Sequence, residues 1–567
     1  MVSVLACLLL SLLCAGSLAA QTQADLILTN GKIVTLDPAR PQGRAVAVKN
    51  GRILAVGSSA EMKAFTGPST KVINLEGKLA IPGFIEGHGH FMGVGQAQIN
   101  LKLSNARNWD DIVAMVAEAA KRARPGTWIL GRGFHQSKWD KVPEPNVQGF
   151  PLHAKLSEVS PNNPVWLTHA SGHAGIVNAA AMKQAEITAK TPNPPGGEIL
   201  KDSAGQPTGL LQEKAQGLVG PAYRAYLSKR SPGEVESEAR RQVELAAREA
   251  IANGITTFED AGSSLETIDL LKRMANEGKL DLRLWVMVRE PNTLLAKNLK
   301  RYRIQDAGDH YLTVRAIKRA VDGALGSRGA WMLEPYSDLP TSSGINTEDP
   351  ADIQKTGDLA IANGFQLCVH AIGDRANREV LDIYESEFKQ HPDKKDLRWR
   401  IEHAQHLSPA DIPRFGKLGV IAAMQGIHCT SDAPYVIPRL GPKRAEEGAY
   451  AWRSLIDSGA VVGNGTDAPV EEVSPIASFY ASVTRRTKDG STFFPYQQMT
   501  RDEALKSYTI NNAFAAFEEK DKGSLQPGKL ADITVLSRDI LTAPEGDLLG
   551  TKIVYTIVGG KIVFGAD

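Results

Sequence analysis

The sequence predicts an α/β protein built on a (β/α)8 TIM barrel, with a small β-sandwich domain formed from both ends of the chain. The barrel is predicted because short apolar runs alternate with segments of helical periodicity over residues 83–522. The sandwich is predicted because residues 25–82 and 523–567 share one pattern of short strands and tight turns. A doubly wound sheet is the main alternative to the barrel.

The composition is that of an ordinary globular protein. The chain has 567 residues, of which 42% are hydrophobic and 23% are charged; these values exclude a mainly disordered, collagen-like or polytopic membrane protein. Its 65 Lys and Arg residues nearly balance its 63 Asp and Glu residues, for a formal net charge of +2. This balance gives no electrostatic reason to expect a nucleic-acid partner.

The first residues indicate export. Residues 1–20 carry no charge, and their apolar run is followed by Ser17-Leu18-Ala19, a small-x-small sequence typical of signal-peptide cleavage. No Lys or Arg precedes the run, and a retained membrane anchor is the alternative. We predict an exported protein, periplasmic or secreted, that does not contact the membrane after signal cleavage.

Each end of the chain carries hairpin signals. Residues 25–34 are two short apolar runs around an Asn30-Gly31 turn, and residues 45–56 repeat this pattern. Residues 531–563 repeat it again near the C-terminus. Two chain ends with the same pattern predict one composite β domain, into which the rest of the chain is inserted.

The predicted barrel strands are short apolar runs separated by helical patterns. Seven of them lie at 254–259, 282–288, 312–320, 365–370, 397–403, 419–424 and 460–467. A run that ends near Phe84 makes eight, the number expected of a (β/α)8 barrel. Residues 128–220 are longer than an ordinary connection and contain Pro-rich stretches, so we predict an insertion over one mouth of the barrel.

Two histidines follow the first predicted barrel strand, in Gly87-His88-Gly89-His90. Side chains two residues apart on a strand point to the same face, so these two imidazoles can hold one metal ion. An isolated pair of this kind is more often structural or solvated, and by itself it indicates little.

Four further candidates lie at the ends of later predicted strands. They are Lys318 on the fourth strand, His370 on the fifth, His403 on the sixth and Asp467 on the eighth. The carboxyl ends of parallel barrel strands open on one mouth, so these side chains are expected to converge with the two histidines. Each alone has a structural explanation, such as a core histidine or a helix cap. Five strand ends with such groups, in a sequence with only 12 His, favour a metal site.

Longer motifs resemble a known family. Residues 82–90, together with the later Lys, His, His and Asp, resemble the amidohydrolase superfamily. Within it the chain resembles the N-substituted formamide deformylase-like (YtcJ-like, amidohydrolase family 3) branch. The segments that carry this likeness are DGALGSR at 322–328, HAIGDRA at 370–376, RIEHAQ at 400–405, PPGGEI at 194–199 and PTGLL at 207–211. The resemblance covers nearly everything after residue 25 and is specific for the branch rather than for a substrate.

The resemblance implies a set of metal ligands. These are His88, His90 and Asp467 for one divalent metal, and His370, His403 and Lys318 for a second. Lys318 would bridge the two metals only as a carbamate formed with carbon dioxide, because an ammonium group cannot bind a cation. Nitrogen and oxygen ligands suit zinc, and a single metal is the alternative if Lys318 stays unmodified.

The resemblance also implies a reaction. Metal-activated water would hydrolyse a C–N bond of a small, N-substituted formamide-like amide, and Asp467 would pass a proton to the leaving amine. A cyclic-amide hydrolase or deaminase on the same site is one alternative. A non-catalytic secreted binding protein on the barrel scaffold is another.

Five residues are candidates for contact with the small-molecule substrate: His173, Asn178, Arg328, Gln425 and His428. His173 and Asn178 lie in a segment that resembles the pocket-covering segment of the branch, although a self-supporting polar loop explains it equally well. Arg328 would orient substrate or form a salt bridge. The sequence leaves the oligomeric state open, and the outer helices and β domain could support a homodimer.

Overall fold

The computed structural model describes residues 22–565, so the predicted signal peptide lies outside the described residues. Its centre is a nearly closed barrel of eight parallel strands, which confirms the predicted barrel. The strands are β1 (Phe84–Gly89), β2 (Ile255–Ser263), β3 (Arg283–Val288), β4 (Leu312–Ala320), β5 (Gln366–Ala371), β6 (Arg400–His403), β7 (Ile421–Met424) and β8 (Val462–Asn464).

The strands pair in chain order from β1 to β8, and every pair is parallel. Past the end of β8, the backbone N–H of Asp467 donates to the carbonyl of His88 at 2.8 Å. The end of the chain's last barrel strand therefore lies against the end of its first. In β3 and β5 every residue is buried, as expected of strands covered on both faces.

Helices connect the strands and cover the outside of the barrel. They include Phe91–Ile99, Pro232–Ala252, Leu265–Asn276, Asn292–Tyr302, Pro350–Asn363, Asp374–Gln390, Ile412–Leu418, Trp452–Asp457, Pro475–Thr484, Arg501–Ser507 and Ile510–Ala515. Pro232–Ala252 begins at Ser231, which forms a capping box with Glu234. Its buried residues include Val243 and Ala250, which form the apolar face that packs on the barrel. No helix in residues 22–565 is long and apolar enough to cross a membrane.

Strands from both chain ends form a sheet beside the barrel. It contains Lys32–Val34, Gln42–Gly43, Leu79–Pro82, Ile533–Leu536, Ile553–Val558 and Lys561–Phe564. A four-stranded sheet contains Leu26–Thr29, Ala45–Lys49, Arg52–Gly57 and Lys71–Asn74. Buried side chains of both sheets, such as Val46 and Ile533, belong to one hydrophobic cluster. The division of the chain into a sandwich domain and a barrel domain stays a prediction.

A six-stranded sheet interrupts the barrel between β1 and β2. It contains Leu101–Lys102, Ile129–Phe134, Val165–His169, Ala174–Val177, Gly197–Lys201 and Pro207–Glu213. Helix Trp109–Arg122 contributes Trp109 and Ile112 to the cluster of buried side chains on this sheet. The sheet begins at Leu101, upstream of the predicted start of the insertion near residue 128. We call residues 101–219 the insertion.

Candidate metal centre

The strand ends bring the predicted ligands together at one mouth of the barrel. His90 Nε2 lies 3.2 Å from Asp467 Oδ1, and His88 Nε2 lies 3.6 Å from the same oxygen. Ligand atoms of these three residues all lie within 4.8 Å of one another. Lys318 Nζ is 3.4 Å from His88 Nε2. This spacing suits the shared coordination of a divalent cation.

The remaining two predicted ligands extend this group along the mouth. The ring centroid of His403 lies 4.7 Å from that of His88 and 4.5 Å from that of His370. All three rings are buried. The six side chains, from five different strands or strand ends, therefore form one continuous polar group, which we call the cup.

Local backbone features allow this close approach. A Cβ atom at Gly87 would lie 2.6 Å from the carbonyl oxygen of Asn464, and one at Gly89 would lie 2.5 Å from the Phe258 ring. Larger residues on either side of His88 would therefore push the strands apart. His403 and Asp467 have φ values of 76° and 55°, conformations that cost energy in a non-glycine residue and that cluster at functional sites.

His88 is oriented by a buried charge network. Its Nδ1 contacts Glu402, whose carboxylate accepts from Arg400 Nε at 2.7 Å and from Arg400 Nη2 at 3.1 Å. Arg400 also contacts Glu259 and donates to the carbonyl of Gly87 at 2.7 Å. Because Nδ1 is occupied, Nε2 is the nitrogen that faces the cup, an arrangement typical of metal-binding histidines. Glu402 was not among the predicted site residues, although a charged residue inside an apolar strand was a usable signal.

Burial lowers the pKa values of several nitrogen-bearing side chains in the cup. Burial lowers the pKa of His88 to about 4, and the Lys318 charge adds to this effect while Glu402 opposes it. Burial also holds the pKa values of His370 and His403 well below the usual range, so these imidazoles are neutral. The pKa of Lys318 falls to about 8, again chiefly because of burial.

Two atoms of the cup fit a bound cation. Asp467 Oδ1 and His370 Nε2 are buried and make no hydrogen bond, although His90 and Asp322 lie within ion-pair distance of them. Such atoms are costly to bury without a partner. Neutral imidazoles with a carboxylate form a donor set suited to zinc and related divalent metals.

A cleft leads from the cup to the surface between the barrel and the insertion. Its lining includes His173, His370, Gln405, His428, Tyr435 and Asp467. His173 Nδ1 lies 2.7 Å from Glu213 Oε2, and its ring centroid is 4.9 Å from that of His370. The structure thus places His173 and His428, two of the five predicted substrate contacts, in the cleft.

The other three predicted substrate contacts have different partners. Gln425 Oε1 lies 2.7 Å from His403 Nδ1, so it orients a ligand. Arg328 forms an ion pair with Asp338 at 3.1 Å. Asn178 is fully buried and caps helix Ala179–Gln184. These three residues thus have partners within the protein, and their contact with substrate stays a prediction.

Asp322 was also missed as a site residue. Its carboxylate accepts from the backbone N–H groups of Trp331, Ile372 and Gly373 at 2.8–3.0 Å, and its Oδ1 lies 3.4 Å from His370 Nε2. Burial raises the pKa of Asp322 to about 7, and the three backbone donors oppose this shift. Its place at the start of the DGALGSR motif, just after β4, was the signal in the sequence.

Known proteins match this chain over most of its length. A model of the amidohydrolase family matches residues 71–564. Protein LONG AFTER FAR-RED 3 of Arabidopsis thaliana is 34% identical over 95% of this chain and 92% of its own length. The putative amidohydrolase YtcJ of Bacillus subtilis is 31% identical over 94% of this chain and 98% of its own. N-substituted formamide deformylase of Arthrobacter pascens is 30% identical over 95% and 98%, respectively.

A solved structure has the same fold. The crystal structure of an uncharacterized metal-dependent hydrolase from Pyrococcus horikoshii superposes with a TM-score of 0.72. The match covers 92% of this chain and 99% of that protein, at 23% sequence identity. The overall fold of this chain has thus already been seen in a solved protein.

Proposed function

Because this chain belongs to the amidohydrolase family and is a metal-dependent hydrolase of that family, we propose that it hydrolyses the C–N bond of a small amide resembling an N-substituted formamide. The observation that carries the proposal is the convergence of six predicted ligands, from positions 88 to 467, in one buried cup. The formamide deformylase relative supports the bond type. We also propose that the protein is exported by its N-terminal segment.

We propose that the cup holds a divalent metal. Its nitrogen and oxygen donors suit zinc. His88, His90 and Asp467 would hold one ion; His370 and His403 would hold a second, with Lys318 as a carbamate between them. When bound, the metal supplies Lewis-acid activation of water and of the amide carbonyl. The lowered pKa of Lys318, about 8, favours carbamate formation because only the neutral amine reacts with carbon dioxide.

Asp467 is the proposed acid–base group. Its Oδ1 lies 3.2 Å from His90 Nε2 and 3.6 Å from His88 Nε2, so the carboxylate lies beside the imidazoles that would hold the metal. It would accept the proton of the attacking water and return it to the leaving nitrogen. An amine leaves poorly as an anion, so this proton delivery is what permits cleavage of a C–N bond.

His173 is the proposed carbonyl-binding group. Burial alone would lower its pKa, but the charge of Glu213 and the hydrogen bond to it raise that pKa above the usual value. With Nδ1 held by Glu213, the Nε2–H group is free to donate toward the substrate oxygen. A donor at this position stabilises negative charge that develops as the amide carbonyl is attacked.

The test is a screen of the zinc-loaded protein on N-formyl, N-acetyl and cyclic amides, with Asp467→Asn and the exposed loop variant Asp489→Asn as a matched pair. We expect amide hydrolysis to fall about 10³-fold in Asp467→Asn and to be unchanged in Asp489→Asn. Metal analysis should find tightly bound metal in the wild type and less in His88→Ala. A wild type without bound metal, or one active only on esters, would overturn the proposal. Turnover of cyclic amides alone would reassign the substrate.

A further inference from the structure

One cation near the cup has no carboxylate partner. Arg132, half-buried in strand Ile129–Phe134 of the insertion, donates from Nη2 to the carbonyl of Ala170 at 3.1 Å. Its Nε is buried without a hydrogen-bond partner. No carboxylate of residues 22–565 forms an ion pair with it. A guanidinium carries five N–H donors, so this one has spare capacity to bind an anion.

Arg132 faces the catalytic side of the insertion. It lines a cavity together with His90, His173 and Asp322, which all belong to or touch the cup. Its guanidinium is also 3.5 Å from the position that a Cβ atom of Gly172 would occupy. The guanidinium thus lies beside the turn that precedes His173, where Gly172 has a φ of 77°.

The other charged groups of this cavity make it electropositive. Arg289 and Lys214 line it, and neither forms an ion pair within the part of the chain that the structure describes. The three acidic residues of the cavity each have a partner. Glu213 Oε2 contacts His173 at 2.7 Å, and Glu348 accepts from Arg319 at 2.6 Å. Asp322 accepts from three backbone N–H groups at 2.8–3.0 Å. Three cations are thus left to face the cavity, and cations in a cleft attract anions.

The local electrostatics agree with this geometry. Burial lowers the pKa of Arg132 to about 10, and the negative charge of Asp467 opposes that shift. Arg132 therefore remains charged at neutral pH while it is poorly hydrated and electrostatically linked to the cup. A planar guanidinium in this state binds a carboxylate through two parallel N–H donors.

We propose that this cavity is an anion subsite, and that the substrate is an amide that carries a carboxylate, such as an N-acyl amino acid. The inference rests on the proposed function, since it places the scissile amide at His90 and Asp467 and the carboxylate at Arg132. Arg289 and Lys214, at the exposed rim, attract the anion rather than hold it. For N-formylglycine, water adds to the formyl carbon, the C–N bond breaks, and formate and glycine leave, with a proton transferred to the glycine nitrogen.

The test compares N-formylglycine with its neutral analogue N-formylglycinamide on the zinc-loaded full chain. A charge-assisted hydrogen-bonded pair is worth roughly 2 kcal/mol, so we expect kcat/KM to be about 30-fold higher for the acid. Arg132→Gln should remove this preference, because it should lower kcat/KM far more for the acid than for the neutral amide. Arg132→Lys should retain part of it, and Arg241→Gln, on the exposed side of helix Pro232–Ala252, should retain all of it.

Equilibrium binding separates this inference from the proposed function. Calorimetry of the same two compounds with the zinc-loaded Asp467→Asn protein should show the same preference for the acid, again lost on adding Arg132→Gln. Binding preference without turnover in the wild type would support the subsite and defeat the hydrolase proposal. Equal affinity for the two compounds, or a preference that survives Arg132→Gln in a folded protein, would overturn the subsite.

Discussion

Buried polar side chains at the barrel mouth differ from Asn178 in the interior of the insertion. In the barrel, Asp467 Oδ1 and His370 Nε2 are buried without hydrogen bonds. In the insertion, the buried side chain of Asn178 makes five hydrogen bonds. The unpartnered atoms of the insertion include Arg132 Nε and His135 Nδ1, in side chains that line the cavities between the two regions. A ligand bound there would relieve the cost of these missing hydrogen bonds.

Lys318 tests the barrel side of this comparison with the largest expected effect. Its pKa is lowered to about 8 in the folded protein, against about 10.4 in an unfolded chain. Below pH 8, Lys318 is protonated in both the folded and the unfolded protein. Burial of its charge then lowers the free energy of unfolding by the full amount. Between the two pKa values the folded protein releases its proton first, so that cost disappears as pH rises.

The free energy of unfolding of the metal-free wild type, relative to Lys318→Met, should therefore rise from pH 7.5 to pH 10.5. The rise should be on the order of 3 kcal/mol, measured by denaturant unfolding. Lys297→Met on an exposed helix position provides the control for pH effects on the unfolded chain. A pH-independent difference between wild type and Lys318→Met would mean that burial of the Lys318 charge does not destabilise the folded protein.

Glu402 tests whether the barrel orients its ligands through charge. Glu402→Gln keeps the shape of the side chain but removes the negative charge that contacts His88 Nδ1. We expect zinc affinity to fall by about 10- to 100-fold, measured by competition with a chelator. Glu503→Gln, at a half-buried carboxylate of outer helix Arg501–Ser507 that contacts Arg453, is the matched control and should leave zinc affinity unchanged. Equal affinity in both variants would contradict the orienting role.

The same contrast explains what the sequence could predict. The convergence of the predicted ligands could be foreseen because each lies in or directly after a short apolar run, and parallel strands must converge; these residues are His88, His90, Lys318, His370 and His403. The contact between Gln425 and His403 could not be predicted. The direction of a side chain after a strand decides whether it faces the cleft or a neighbouring metal-binding residue, and the sequence does not show that direction.

The insertion was harder still. Arg132 and Asn178 lie in the same sheet region, yet one faces the cavity and the other the interior, and only strand pairing across residues 129–213 decides which. The sequence pattern indicated that this region is irregular, Pro-rich and long, but it did not predict how its strands pair. The resemblance to a pocket-covering segment predicted substrate contact for both His173 and Asn178. In the structure, His173 lines the cleft, whereas the hydrogen bonds of Asn178 lie inside the insertion.

Asn178 tests the insertion side with the smallest effect. Its Oδ1 accepts from the N–H groups of Val165 and Ala181, while its Nδ2 donates to Ser160 and Asn163. Asn178→Ala should lower the free energy of unfolding by about 1 to 2 kcal/mol and leave kcat and KM within about twofold of wild type. Asn178→Asp keeps the helix cap but not the amide donors. Its free energy of unfolding should lie between those of the wild type and Asn178→Ala. A fall in kcat/KM in a variant of unchanged stability would instead make Asn178 a substrate contact, and the interior of the insertion would then share the chemistry of the cup.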